Sequence, residues 1–205
     1  MPPLFQNFKE PIITAFIVGL LLGGALVYAS KGSGYFNFLS AFSAGELEES
    51  ALHLQRSLPL SIRVPAVGIE ASFEAPVALD SFGRMEVPEG YDTVAWYEFA
   101  PTPGELGPSV VLGHVDSESG PKVFHPLKDV NEGDIIEVTR EDGTVAVFEA
   151  YKIKYYRQTR FPMQDVFGDT DGAEIRLITC SGIFDHATYR YSHNLVVYGK
   201  LLEVK

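Results

Sequence analysis

Between Glu10 and Lys31 the chain carries twenty consecutive uncharged residues, PIITAFIVGLLLGGALVYAS. At about 1.5 Å per residue, a helix of that length spans roughly the 30 Å hydrocarbon core of a bilayer. A helix buried in a globular core would keep a polar stripe, and this segment is apolar all round. Residues 11–30 are therefore read as one transmembrane anchor, with 1–10 as a short N-terminal tail. Val27-Tyr28-Ala29 loosely mimics a cleavage site, but the run exceeds the roughly 7–15 residues of a signal-peptide core, so the anchor is expected to be retained. Lys9 and Lys31 flank it on opposite sides, so charge alone gives no orientation.

The chain beyond the apolar run falls into two parts. Residues 31–58 read as a stalk, in which Ser43 and the acidic residues after it could cap a short helix or simply be solvated. From Pro59 the pattern changes to short β-type runs: LSIRVPAVGIEASF, SVVLGHV, AEIRLITC and HNLVVYGKLLEV. DIIEVTR and VAVFEAY flank Glu141-Asp-Gly-Thr144, and Asp-Gly between alternating runs is a strong hairpin signal. Many short strands with little helical periodicity predict one all-β domain, a small barrel or sandwich, over residues 59–205.

Composition narrows the function classes. A formal charge of −11 argues against a protein that tracks nucleic-acid phosphates, which requires a basic patch. A single cysteine, Cys180, excludes an intrachain disulfide and any multi-cysteine metal site. Asp169-Thr-Asp171-Gly faintly echoes a calcium loop but lacks its spacing and terminal glutamate, so it is read as a turn.

Cys180 closes the apolar run Ile175–Cys180 and is expected where a strand stops and a loop begins, a position that is both rigid and accessible. A thiol becomes a nucleophile only beside a base or a cation. Five histidines compete for that role: His53, His114, His125, His186 and His193. His114 stands first, because it follows Val110–Gly113 as Cys180 follows its own run, and Gly113 permits close approach of another element. Acyl transfer further needs a group to hold the developing oxyanion. Arg190 is the only arginine after Cys180; Arg176 shares a strand face with Cys180 but lies about four residues, roughly 13 Å, away.

Together these residues resemble the sortase family, and its class E/F members in particular. The match covers roughly residues 60–205 and rests on LSIRVPAVGI, VAWYEFAPTPGELGPSVVLGHVDS, VFHPLKDVNEGDIIEV and LITCSGIFDHATYRYSHNLVVYGKL. The resemblance implies an eight-stranded sortase-type β-barrel with short helices, behind one transmembrane helix. It implies a membrane-anchored cysteine transpeptidase on the outer face of a bacterial membrane, needing neither cofactor nor metal. Cys180 matches the nucleophile, His114 the acid/base and Arg190 the substrate and oxyanion clamp, with Thr179 as a substrate-binding residue. In many relatives the arginine lies nearer the positions of Ser192 or Asn194; Arg190 keeps the same strand parity.

The implied substrates are proteins bearing an LPxTG-like sorting signal, cleaved between Thr and Gly and passed to an amine of peptidoglycan or of another protein. A single N-terminal anchor, with no second apolar run before the final LLEVK, suits cell-wall anchoring better than pilus assembly. Two alternatives differ in chemistry. An L,D-transpeptidase would show a His-Gly-Cys-type cluster with an arginine next to it, whereas Ser181-Gly182 follows Cys180. A non-catalytic barrel that binds sorting or wall peptides draws support only from the arginine offset.

Overall fold

The computed structural model describes residues 52–78 and 86–205. The tail, the apolar run 11–30 and the stalk as far as residue 51 lie outside the described residues. Among the described residues no helix is long and apolar enough to cross a membrane.

The chain opens with β1 (Pro59–Val64) and β2 (Ile69–Ser72), an antiparallel pair in which Val64 faces Ile69. The turn between them is a single 3-10 turn, Pro65–Val67, closed by Gly68 at φ 69°. Proline supplies the fixed φ of a first helical position, and glycine the left-handed residue that ends it. Next come β3 (Val94–Trp96) and β4 (Gly107–Gly113), then a two-stranded ribbon of β5 (Asp116–Ser117) and β6 (Gly120–Pro121). The hairpin expected at Asp142-Gly143 is β7 (Ile135–Arg140) with β8 (Val145–Arg157), and Gly143 has φ 85°. A short helix α1 (Met163–Phe167) leads to β9 (Ala173–Asp185) and β10 (Arg190–Val204). Asp169–Gly172 is the turn before β9, where the Thr170 hydroxyl donates to the Gly172 carbonyl.

Eight of these strands form one sheet in the order β2-β1-β7-β8-β10-β9-β4-β3. Beyond β2, Phe73 and Val77 form parallel bridges to Val94 and Tyr97, so the two ends of that order meet and the sheet nearly closes. The fold is an all-β, nearly closed eight-stranded barrel with few helices, in agreement with the sequence.

Side-chain alternation divides the interior into two layers. Val111, Ile175, Leu177, Leu195 and Val197 point into the barrel with Ile62, Ile136 and Phe148. Their neighbours Val110, Leu112, Ile178, Val196 and Tyr198 point outward and are covered by Val166, Phe161 and Phe167. All seven residues of β4 are therefore buried, as expected for a strand paired in parallel and covered on both faces. Residues 52–58 are also bound to this body: the Leu54 N–H donates to Gly104 O at 2.7 Å, and the buried Arg140 guanidinium donates to Gln55 O.

One expectation is corrected. Cys180 does not end its strand, because β9 continues for five residues to Asp185, paired with β10. The change at Cys180 is one of burial and regularity. The ladder is interrupted just beyond it, where Gly182 and Ile183 oppose the single residue Ser192. Gly182 has φ 84°, the left-handed conformation that makes glycine the natural first residue of such a bulge.

Candidate active site

β4 and β9 run parallel with a constant offset, Val110 beside Arg176 and Leu112 beside Ile178. Two residues past the last of these pairs stand His114, just beyond the end of β4, and Cys180, still within β9. The Thr179 hydroxyl fixes this end of the ladder by donating to Gly113 O at 2.8 Å. Along each strand His114 and Cys180 keep the parity of Leu112 and Ile178, so both emerge on the outer face of the barrel. On the other side of β9, Asn194 of β10 lies directly opposite Cys180.

These residues open into one cleft of about 400 Å³. Its apolar wall includes Val87, Phe161, Met163 and Phe167, and its polar groups include His114, Asp116, Gln158, Cys180, Arg190 and Asn194. Of the five histidines, all described, His114 alone lines it. His125 belongs to the 3-10 turn His125–Asp129, His186 packs on Phe184, and His193 hydrogen-bonds Ser192.

His114 is held at several atoms. A Cβ on Gly113 would come within 2.6 Å of the Phe124 ring, so glycine is needed for Phe124 to pack there. The Phe124 N–H donates to the His114 carbonyl at 2.9 Å. The ring donates Nε2–H to Pro88 O at 2.8 Å, since a carbonyl can only accept. In the neutral ring that leaves Nδ1 as the basic nitrogen. The Tyr91 ring lies 4.8 Å away, centroid to centroid.

Cys180 is a free thiol, and burial pushes its pKa up, with the nearby Asp116 carboxylate adding to the effect. Asp116 accepts a hydrogen bond from the Tyr191 hydroxyl. Burial, that hydrogen bond and the charges of Asp116 and Cys180 push the Tyr191 phenol up to about 12, so it remains a donor across the neutral range. On the opposite flank the Gln158 amide donates to Asn194 Oδ1 at 2.9 Å and reaches Cys180 Sγ at 4.0 Å.

The remaining sequence candidates divide clearly. Arg190 is the first residue of β10 and lines the cleft, and its guanidinium has no hydrogen-bond or ion-pair partner among the described residues. Its backbone lies four strand steps, about 13 Å, from Asn194. Arg176 is buried, paired with Glu174 at 2.6 Å and stacked on Tyr198 at 4.5 Å, so it serves the core. Thr179 lines the cleft with its hydroxyl hydrogen committed to Gly113. Sequence reasoning missed Gln158, Asn194 and Tyr191, and it gave Asp116 no role. Asp116 had a signal in its spacing two residues after His114; the others depend on strand register.

A thiol and an imidazole at the end of one parallel ladder, opening into one cleft with a guanidinium that has no partner among the described residues, define a cysteine–histidine site on a β-barrel. The Sortase domain model matches residues 62–202, and the chain belongs to the sortase family, whose members are generally cysteine transpeptidases. Solved structures agree in fold. Sortase C1 of Streptococcus agalactiae, in complex with MTSET, is 21% identical with a TM-score of 0.53, over 74% of this chain and 72% of that one. Sortase A of Listeria monocytogenes is 19% identical with a TM-score of 0.54, over 74% and 90%. A sortase D5 transpeptidase of Clostridium perfringens is 17% identical with a TM-score of 0.52, over 72% and 79%. No curated protein sequence matches the chain.

Proposed function

We propose that the chain is a membrane-anchored sortase, of the class E/F type by its motifs, that cleaves an LPxTG-like signal between Thr and Gly. The acyl product passes to an amine of the cell wall. The observation that carries this reading is that His114, Cys180 and Arg190 line one cleft, at the end of the parallel β4–β9 ladder. The resting thiol is neutral, because burial and Asp116 both disfavour its anion. Nδ1 of His114 is the free base that takes the thiol proton. The sulfur then attacks the Thr carbonyl carbon, and the oxyanion is met by the Arg190 guanidinium. As the C–N bond breaks, the imidazolium returns its proton to the departing Gly amine and a thioester remains on Cys180. An incoming amine gives a proton to His114 and forms the new amide, and the departing thiolate takes that proton back from the imidazolium to restore the thiol.

The apolar wall of Val87, Phe161, Met163 and Phe167 suits the aliphatic side chains of such a signal, and Thr179 stands beside the nucleophile. The apolar run 11–30 is the proposed anchor, with the barrel outside a bacterial membrane. Incubating the full chain with a fluorescent LPxTG-type peptide and a glycine-based amine should yield both cleaved and ligated product. Cys180→Ala should yield neither; a variant as active as the parent would end this reading. Peptide affinity without turnover across several amines and pH values would favour a non-catalytic binding barrel.

A further inference from the structure

The loop that touches the His114 ring is itself tied to a residue forty positions upstream of that histidine, on the segment that closes the barrel. The imidazole is held by the Pro88 carbonyl and the Tyr91 ring, both on one short loop before β3. That loop needs an anchor of its own, and Glu74 supplies it. Its carboxylate accepts from the Glu89 N–H at 2.6 Å, the Gly90 N–H at 3.0 Å and the Thr93 hydroxyl at 2.5 Å. Glu74 is itself fixed, because its N–H donates to Val94 O at 2.9 Å beside the Phe73–Val94 bridge. Gly90 is required for the approach: a Cβ there would lie 2.9 Å from Glu74 Oε2 and 2.2 Å from Thr93 Oγ1. Burial opposes the Glu74 charge, yet hydrogen bonds from Thr93, Glu89 and Gly90, with a contribution from His114, hold its carboxyl below the usual range.

We propose that Glu74 is a positioning residue for His114, clamping residues 88–93 so that Pro88 O fixes the Nε2–H tautomer. The proposal rests on the reading of His114 as the acid/base of the site. An acid/base group must present one defined nitrogen to the reacting atoms, and a misplacement of about 1 Å can cost roughly a hundredfold in rate. A carboxylate bound by three donors is suited to the task, since charge-assisted hydrogen bonds are short and directional. Removing it frees the Pro88 carbonyl to drift, so that Nε2 loses its acceptor and Nδ1 is no longer the only basic nitrogen.

The test uses the full chain labelled with 15N-histidine, with the His114 signals assigned through His114→Gln. Two-bond proton–nitrogen spectra should show the parent with one Nε2–H tautomer for the neutral ring. Glu74→Ala should show exchange between both tautomers, with kcat for peptide ligation about 10- to 100-fold lower and KM within about twofold. Thr93→Val removes one of the three donors while keeping the side-chain shape, and should produce an intermediate shift. If Glu74→Ala fails to fold, Thr93→Val decides the question. A single Nε2–H tautomer with parental kcat in the folded variants overturns the proposal, even where the melting temperature falls. If the parent turns over no sorting peptide, the proposed reaction fails, and the tautomer spectra still decide the role of Glu74.

Discussion

The two halves of β9 differ sharply. Up to Thr179 the strand is core: Ile175 and Leu177 are fully buried, and Thr179 is 4% exposed. Beyond Cys180 it projects with β10 as a hairpin on which Ile183 and Tyr189 are each 79% exposed. The buried half gives His114 and Cys180 a common frame, set by the β4–β9 register and the Thr179–Gly113 hydrogen bond. The projecting half carries Arg190. It is stabilised by its ladder, by packing of Phe184 on His186 and Tyr191, and by the Tyr191–Asp116 hydrogen bond. Cys180 and His114 thus share the rigidity of the barrel, while Arg190 depends on a bulged hairpin that can be altered separately. On the proposed chemistry, the buried half sets the proton transfer and the hairpin sets the stabilisation of charge.

This division predicts a hierarchy of losses. His114→Ala should cost about a thousandfold in kcat, the range of a lost general acid/base, with an unchanged melting temperature. A loss below tenfold in single-turnover cleavage would mean that the β4–β9 register does not supply the base.

The hairpin comes next. Arg190→Ala should lower kcat/KM about a hundredfold. Gly182→Ala should lower it about tenfold, because φ 84° disfavours a side chain and its Cβ would meet Ser192 Oγ at 2.4 Å. If the bulge acts by aiming Arg190, the double variant should be no worse than Arg190→Ala alone. Additive losses would show that the bulge serves something else.

Asp116→Asn should have the smallest effect and a defined sign. The thiol pKa is raised first by burial and then by the Asp116 charge, so removing that charge favours the thiolate. The pH midpoint for iodoacetamide alkylation of Cys180 should therefore move to lower pH. A move upward would contradict the electrostatic arrangement of the cleft.

Much of this architecture could be read in the chain because local chemistry dictates it. The Asp142-Gly143 turn, the Pro65/Gly68 connection and the apolar runs that became β4, β9 and β10 all carry their own signals. Gly113 was legible as a place of close approach, though not that Phe124 would fill it. The continuation of β9 was not legible, since Ser181–Asp185 mixes small, apolar and charged residues and forms a strand only because β10 pairs with it. Asn194 stands opposite Cys180 through the long-range register of the β9–β10 ladder, and the bulge beyond it alters only the pairing of Tyr191 and Arg190. The Glu74 carboxylate meets donors fifteen or more positions away, where no sequence periodicity connects them. His114 and Cys180 could be singled out by type and setting, but the parallel pairing that brings both to one cleft spans 66 positions.

On the proposed mechanism, Cys180 carries the acyl group between donor and acceptor. The full chain would be mixed with an LPxTG-type peptide in the absence of an amine, quenched in acid within one turnover and weighed intact. The expected result is an added mass equal to the peptide acyl group ending in Thr, mapped to Cys180, released by hydroxylamine and missing from Cys180→Ala. Peptide cleavage with no adduct at Cys180, or cleavage that persists in Cys180→Ala, would contradict it.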